Sequence, residues 1–184
     1  YDSNDATYPY GSNIITNTIS AEQGSSEDYK DKFIKIGSEP FDWCNPSNSK
    51  LWNSGTEDVP IKTSYDPCPV GWRVPTIDEL EALMGNKNNK GNCVNENNGQ
   101  AGVWYDGTTN TDQTSGVFLP AAGYRDEYGA ESERGVSCNY YSLVLNIGGD
   151  LANILLAYKY EASVDGSIYS RPKSSACSVR CVKE

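Results

Sequence analysis

Residues 66–85 read DPCPVGWRVPTIDELEALMG and contain the most regular pattern in the chain. Thr76 is a favourable helix N-cap, and Glu79, three residues later, completes a capping box. Gly85 is a typical residue just after a helix C-terminus. The pattern therefore predicts a helix over residues 76–84.

Three prolines restrict the backbone conformation just before this helix. Pro67 and Pro69 bracket Cys68 and hold the backbone in an extended or turned conformation. Pro75 keeps Val74 out of the helical region, so the helix starts after it. The apolar stripe of the helix has nearly helical spacing and consists of Ile77, Leu80, Leu83 and Met84.

The composition restricts the domain count and the kinds of partner. The chain has 184 residues, which suffices for one domain with a hydrophobic core and is short for two. Its net charge is −10, and no lysine- or arginine-rich stripe is available for phosphate groups. No apolar run reaches the roughly 18 residues of a membrane span. We therefore expect no nucleic-acid partner and no membrane insertion.

Six cysteines and no histidine are present. The cysteines are Cys44, Cys68, Cys93, Cys138, Cys177 and Cys181. No CxxC pair occurs, so we predict no structural zinc, no other metal and no cofactor. The even number favours disulfides and an oxidising compartment, with buried thiols as the alternative. Strand alternation puts Cys177, Val179 and Cys181 on one face, which suggests different disulfide partners for the two cysteines.

The pattern as a whole predicts an α+β fold, with one early helix, late antiparallel strands and long loops. We interpret residues 1–39 as an N-terminal arm or the incomplete start of the domain, and residues 40–184 as the domain. Apolar or alternating runs predict strands over residues 31–37, 116–122, 139–147, 153–162, 166–171 and 177–184.

Three segments resemble the Fibrobacter succinogenes major paralogous domain, which is abundant in Bacteroidetes surface proteins. They are CPVGWRVPTIDELEAL at residues 68–83, FLPAAGYR at residues 118–125 and SVRCVKE at residues 178–184. That domain is similar to the C-type-lectin-like fold, in the branch shared with formylglycine-generating enzymes and the variable proteins of diversity-generating retroelements. The resemblance covers the chain from about residue 40 to its end.

The resemblance implies that the helix packs against a small sheet and that the last strand returns beside the beginning of the domain. It also implies a disulfide between Cys68, just before the helix, and Cys181 in the last strand. We favour Cys138–Cys177 as a second bridge, because both residues flank the late strands. Elimination leaves Cys44–Cys93, although cysteine connectivity cannot be deduced from sequence.

No catalytic residues are predicted. Without histidine, the Ser-His and Cys-His dyads are absent, and carboxylates would have to do all acid–base work. The formylglycine-generating relatives depend on reactive copper-bound cysteines, and no such active-site motif is present here. Acidic residues such as Asp106, Asp126 and Glu131 lack EF-hand spacing and are interpreted as solvated loop residues.

Tyrosine is abundant, with 13 in the chain. Tyrosine mixed with serine, glycine and asparagine is typical of antigen-binding loops, because it provides a large amphipathic contact at low entropic cost. We predict a ligand-binding face formed by Asn139, Tyr140, Tyr141, Tyr158, Tyr160, Tyr169 and Arg171. Trp104 and Tyr105, in a predicted loop between Gly102 and Gly107, are the second choice for the same surface. Ordinary packing of aromatic residues between strands is the alternative.

These expectations favour a non-catalytic extracellular or cell-surface binding module, such as a bacterial pilus-tip adhesin or a phage receptor-binding domain. Its partner would be a protein or glycan on another surface. The alternative is a structural module that docks on another domain or fibre subunit of a larger surface protein. An enzyme of the formylglycine-generating type is the least favoured class.

Overall fold

The computed structural model describes residues 14–15, 17–29, 32–36, 38–39, 41–84, 100–105, 116–145, 151–158 and 167–184. The helices among them are α1 (Ala21–Gly24) and α2 (Ile77–Met84). The strands are β1 (Ile14–Ile15), β2 (Phe33–Ile34), β3 (Trp72–Arg73), β4 (Gly102–Tyr105), β5 (Val117–Pro120), β6 (Tyr124–Arg125), β7 (Glu131–Ser132), β8 (Ser137–Leu145), β9 (Leu151–Tyr158), β10 (Ser167–Pro172) and β11 (Val182–Lys183). This mixture confirms the predicted α+β class.

Helix α2 lies where the sequence pattern predicts it. The backbone N–H of Glu79 donates to Oγ1 of Thr76 at 3.2 Å, and the Thr76 N–H donates to Oε2 of Glu79 at 2.9 Å. This reciprocal pair is the predicted capping box, and it satisfies donors that the helix start leaves without intrahelical partners. Leu80 is buried, while Leu83 and Met84 pack at the edge of the same core.

Strands β8, β9 and β10 form an antiparallel sheet with β9 in the centre. The continuous apolar sequence of β9 accounts for this place, because a central strand is covered on both faces. Leu155 faces the core that contains Leu80 of α2, and the adjacent Ile154 faces a second core that contains Tyr141. The three late strands are therefore confirmed, and α2 packs on the β8 side of their sheet.

The described residues also form four two-stranded sheets of short strands. β1 runs parallel to β2, whereas β4 pairs with β5, β6 with β7 and β3 with β11 in antiparallel orientation. Strand β4 corrects the predicted loop at residues 102–105, because β5 supplies a hydrogen-bonding partner that local sequence does not reveal. The strand predicted over residues 177–184 is confirmed only at Val182–Lys183.

The disulfide between Cys68 and Cys181 is formed. The two Cα atoms are 5.8 Å apart, and the two residues are 113 positions apart in the sequence. The disulfide lies next to the antiparallel pair of strands β3 and β11. The bond therefore fastens the last strand next to the turn that leads into α2.

The other two predicted bridges, Cys138–Cys177 and Cys44–Cys93, are not formed. Cys44, Cys138 and Cys177 are thiols, and the Cys138 thiol donates to the Leu119 carbonyl at 3.1 Å. Cys93 itself lies outside the described residues. Position along the chain is a weak guide to cysteine pairing, because a bridge needs two Cα atoms within about 7 Å and suitable side-chain directions.

The buried side chain of Asp66 shapes the turn around the disulfide. Its carboxylate accepts hydrogen bonds from the backbone N–H groups of Cys68 at 2.7 Å and Val74 at 3.1 Å. Lys62 lies 3.2 Å from the same carboxylate and also donates to the carbonyls of Cys68 and Trp72. These contacts satisfy backbone groups that no helix or sheet pairs, so the turn is held without regular structure.

Part of the predicted N-terminal arm packs on the domain. Ile19 is buried, its N–H donates to the Trp43 carbonyl at 3.0 Å, and its carbonyl accepts from the Asn45 N–H at 2.8 Å. The adjacent helix α1 begins at a capping box formed by Ser20 and Gln23. No helix among the described residues is both long and apolar enough to cross a membrane.

Candidate functional site

The residues predicted to form one ligand-binding face lie in different environments. Four of them are in the core: Asn139, Tyr140, Tyr141 and Tyr105. Tyr140 shows the physical reason, because it packs with the apolar side chains beneath α2 and its hydroxyl donates to the Pro120 carbonyl at 3.1 Å. Burial raises the pKa of the Tyr140 hydroxyl to about 12. A surface face therefore does not include these four residues.

Trp104 and Tyr105, the second choice for this surface, lie on strand β4 and not in a loop. Trp104 is half-buried, and its ring lies 5.2 Å from that of Phe118, its cross-strand partner on β5. This pair stabilises the β4–β5 ladder rather than forming a free loop surface. Tyr160 and the side chain of Tyr158 lie outside the described residues.

The remaining predicted residues, Tyr169 and Arg171, lie on the edge strand β10, where Tyr169 is exposed and Arg171 is half-buried. The guanidinium of Arg171 lies 3.4 Å from the centre of the Tyr124 ring and 5.9 Å from that of Tyr169. Tyr169 is 54% exposed. The Nε of Arg171 donates to Oδ1 of Asn139 at 3.2 Å, and Asn139 donates in turn to Ser137 at 2.7 Å. We call Tyr124, Tyr169 and Arg171 the Tyr–Arg stack.

A cavity of about 300 Å³ lies beside this stack, with Tyr124 in its wall. Its polar lining comes from the β6–β7 hairpin, where Arg125 pairs with Glu131 at 3.0 Å. Cys177 and Ser178 close it from the C-terminal segment. An arginine held against aromatic rings, next to a concave surface that contains polar groups, is an arrangement able to hold another molecule by stacking and hydrogen bonds.

A second cavity, of about 360 Å³, lies between the arm and the late sheet, and we call it the arm cavity. Its apolar lining is largely aromatic and includes Tyr29, Phe33, Trp43, Trp52 and Tyr141. Trp52 meets Tyr141 edge to face, with ring centres 5.5 Å apart. The sequence does not reveal this cavity, because its walls come from the arm, the 41–52 loop, the late sheet and residues 173–179.

A buried ion pair lines the arm cavity. The ammonium of Lys173 lies 2.9 Å from Oδ2 of Asp42, and their side chains are 6% and 3% exposed. Lys173 also donates to the Ser47 hydroxyl at 3.2 Å, which itself donates to Asp42 at 2.6 Å. The other carboxylate oxygen of Asp42 accepts from the Cys44 N–H at 3.0 Å. This network compensates both buried charges locally.

Buried polar groups adjoin the ion pair. The Tyr141 hydroxyl donates to the Ser175 carbonyl, and burial raises its pKa well above 10. Burial raises the pKa of the Cys177 thiol to about 12, so this thiol stays protonated near neutral pH. The buried hydroxyl oxygens of Ser174 and Ser175 have no hydrogen-bond partner among the described residues.

Metal-ligating side chains are not grouped in the described part of the chain, where no cluster of three or more histidine, cysteine, aspartate or glutamate residues could hold an ion. No protein-family model, no curated protein and no solved structure matches the chain. The site is therefore interpreted from its own geometry.

Proposed function

We propose that the chain is a non-catalytic extracellular binding module of C-type-lectin-like fold that presents the Tyr–Arg stack to a protein or glycan on another surface. The observation that carries the proposal is the position of Arg171 on the edge strand of the late sheet, where its guanidinium lies within cation–π distance of the Tyr124 ring and of the exposed Tyr169 ring. The Cys68–Cys181 disulfide supports an extracellular setting, because such bonds persist in oxidising compartments.

The stack is well organised for binding before any ligand arrives. Arg171 is fixed by Asn139 as well as by the ring of Tyr124, so little side-chain entropy remains to be lost on binding. Tyrosine and arginine are also the residues that most often dominate binding energy in protein interfaces. The exposed ring of Tyr169 supplies apolar contact area, and the neighbouring cavity supplies hydrogen-bonding groups.

Screening the folded domain against glycan and protein arrays, followed by substitution of Tyr169, tests this proposal. Tyr169→Ala is expected to abolish capture of an array ligand while leaving the melting temperature within a few degrees, because the ring is exposed. Tyr128→Ala is the matched control, since Tyr128 is a 51% exposed tyrosine that belongs neither to the Tyr–Arg stack nor to the lining of its cavity. Unchanged capture by Tyr169→Ala, or equal loss in both variants, contradicts the proposal.

A structural module is the second candidate, and a separate surface favours it. Val59, Ile61, Val70 and Trp72 are large apolar residues of the 59–72 region that are exposed, with Val70 at 98%. Such residues are suited to docking on a neighbouring domain or fibre subunit. A photo-crosslinking amino acid at Val70 would then capture that neighbour in the native assembly, whereas the same group at Tyr169 would not. The reverse result favours the binding module.

A further inference from the structure

The arm cavity has the size and composition of a small-molecule site and plays no part in the proposed surface function. Its volume of about 360 Å³ lies within the roughly 300–1,000 Å³ of typical ligand pockets. Its walls are mainly apolar and aromatic, with rings from the arm, from the 41–52 loop and from the late sheet. A few polar groups meet at the side formed by residues 173–175, as is usual in sites that orient a ligand.

The polar groups that line the arm cavity determine which kind of ligand head group would fit there. Asp42 neutralises Lys173, so the site carries no net charge from this pair. Lys173 uses two of its three N–H donors on Asp42 and Ser47, and its third has no partner among the described residues. The hydroxyls of Ser174 and Ser175 also lack partners within the described ranges. The cavity is thus rich in hydrogen-bond donors without an excess of charge.

We propose that the arm cavity binds a small apolar molecule that carries one neutral oxygen-bearing head group, either a hydroxyl or a carbonyl. The oxygen would accept a hydrogen bond from the hydroxyl of Ser174 or Ser175, which removes the cost of leaving that group without a partner. A charged head group is disfavoured at the end of the cavity near Lys173, because the Asp42–Lys173 pair is already balanced. The other lysine of the lining, Lys32, is exposed, and its ammonium lies 5.3 Å from the centre of the Tyr29 ring, so it is not buried beside these groups.

Isothermal titration calorimetry of the folded chain with three probes that share a naphthalene ring tests which head group the cavity prefers. 1-Naphthol combines an apolar body with a neutral hydroxyl and is expected to bind. Naphthalene lacks the oxygen and is expected to bind more weakly, while naphthalene-1-sulfonate adds a full negative charge and is expected not to bind. Equal affinities for all three, or preference for the sulfonate, would overturn the proposal.

Two variants locate the binding. Ser49 is an exposed residue that lines the cavity, so Ser49→Trp is expected to block 1-naphthol without disturbing the buried ion pair. Ser64→Trp is the matched control, because Ser64 is also exposed and does not line the cavity. Unchanged 1-naphthol affinity in Ser49→Trp would overturn the proposal.

Ser175→Ala separates a ligand contact from a structural role. Its hydroxyl has no partner within the described structure, so its removal is expected to leave the melting temperature unchanged or higher. If the hydroxyl donates to the ligand, the same change weakens 1-naphthol binding by about five- to tenfold. Ser175→Ala with full affinity, together with Ser174→Ala with full affinity, would contradict the assigned head-group contact. Tyr169→Ala should leave 1-naphthol binding intact, so failure of the surface proposal does not affect this one.

Discussion

Arg73 and Glu79 join the end of β3 to the first turn of α2 by two hydrogen bonds of 2.7 Å, one from each terminal guanidinium nitrogen. Glu79 also accepts from the Thr76 N–H, so one carboxylate both caps the helix and ties it to the strand next to the disulfide. The hydrogen bonds from Arg73 lower the pKa of Glu79 below its ordinary value of 4.5. The Arg73–Glu79 pair therefore makes the stability of this region dependent on pH.

Glu79→Gln is expected to reduce the free energy of unfolding by about 1 kcal/mol at pH 7, near the upper end for a partly exposed ion pair. Because the folded-state pKa of Glu79 is lowered, its contribution is fully present above about pH 4.5 and is lost as the pH falls through the folded-state pKa. The difference between the two proteins should therefore shrink below pH 4.5 in urea unfolding experiments. Asp78→Asn, a change in the same helical turn, serves as the control. A difference that does not vary with pH would contradict this assignment.

The disulfide between Cys68 and Cys181 is expected to contribute about 2 to 5 kcal/mol to stability, because it closes a long loop in the unfolded chain. Either cysteine changed to serine should therefore lower the free energy of unfolding by that amount, as measured by denaturant titration. Thr76→Ala, which removes only the helix cap, should cost about 1 kcal/mol. Similar, negligible effects in all three variants would show that the bridge does not hold the helix and the last strand together.

Tyr140 and Tyr169 should respond to truncation in opposite ways. Tyr140→Ala removes a buried ring and is expected to cost about 3 to 5 kcal/mol, since it leaves a cavity beneath α2. Tyr169→Ala changes an exposed ring and should alter stability by about 0.5 kcal/mol or less. Thermal unfolding of both variants measures the contrast. Comparable losses would place Tyr169 in the core and remove the basis of the proposed surface.

The thiols of Cys44, Cys138 and Cys177 are expected to resist alkylation in the folded protein. Cys44 and Cys138 are buried, and the Cys177 thiol has a pKa of about 12, so little thiolate is present at pH 8. Iodoacetamide without reductant should label these three only after unfolding and should leave Cys68 and Cys181 unlabelled, as read by peptide mass spectrometry. Labelling of Cys177 in the native protein, or its protection after unfolding, would contradict the structure.

Local sequence determined much of the secondary structure. The capping box of Thr76 and Glu79 defines the start of α2 because its two hydrogen bonds join residues three positions apart. The apolar run of β9 predicted a strand over residues 153–162, and the strand is present at Leu151–Tyr158. Its central place between β8 and β10 was not predicted and is decided by the tertiary structure. The Cys68–Cys181 bridge was predicted from a family resemblance, whereas position alone suggested two other bridges that do not form.

Burial of individual tyrosines required the tertiary structure. Tyr141 and Tyr169 both pair with Ile154 across β9, so they lie in one row on the same face of the sheet. Trp52 packs against Tyr141 and helps to bury it, while Tyr169 on the edge strand remains exposed. Alternation in a sequence assigns a residue to a face, but it carries no information about which remote segment covers that face. The tyrosine count therefore predicted a binding surface but could not show which tyrosines are exposed.

The arm cavity shows that sequence also fails to predict which charged residues are buried. Asp42 and Lys173 are 131 positions apart, and no local sequence pattern links the two residues. Their pairing depends on the approach of the 41–52 loop to the segment after β10, which long-range packing decides. Sequence determined the α2 cap and the presence of a strand at β9 because those depend on near neighbours. Tertiary structure alone decided the buried ion pair and the cavity, because burying a charge is tolerable only where a distant partner compensates it.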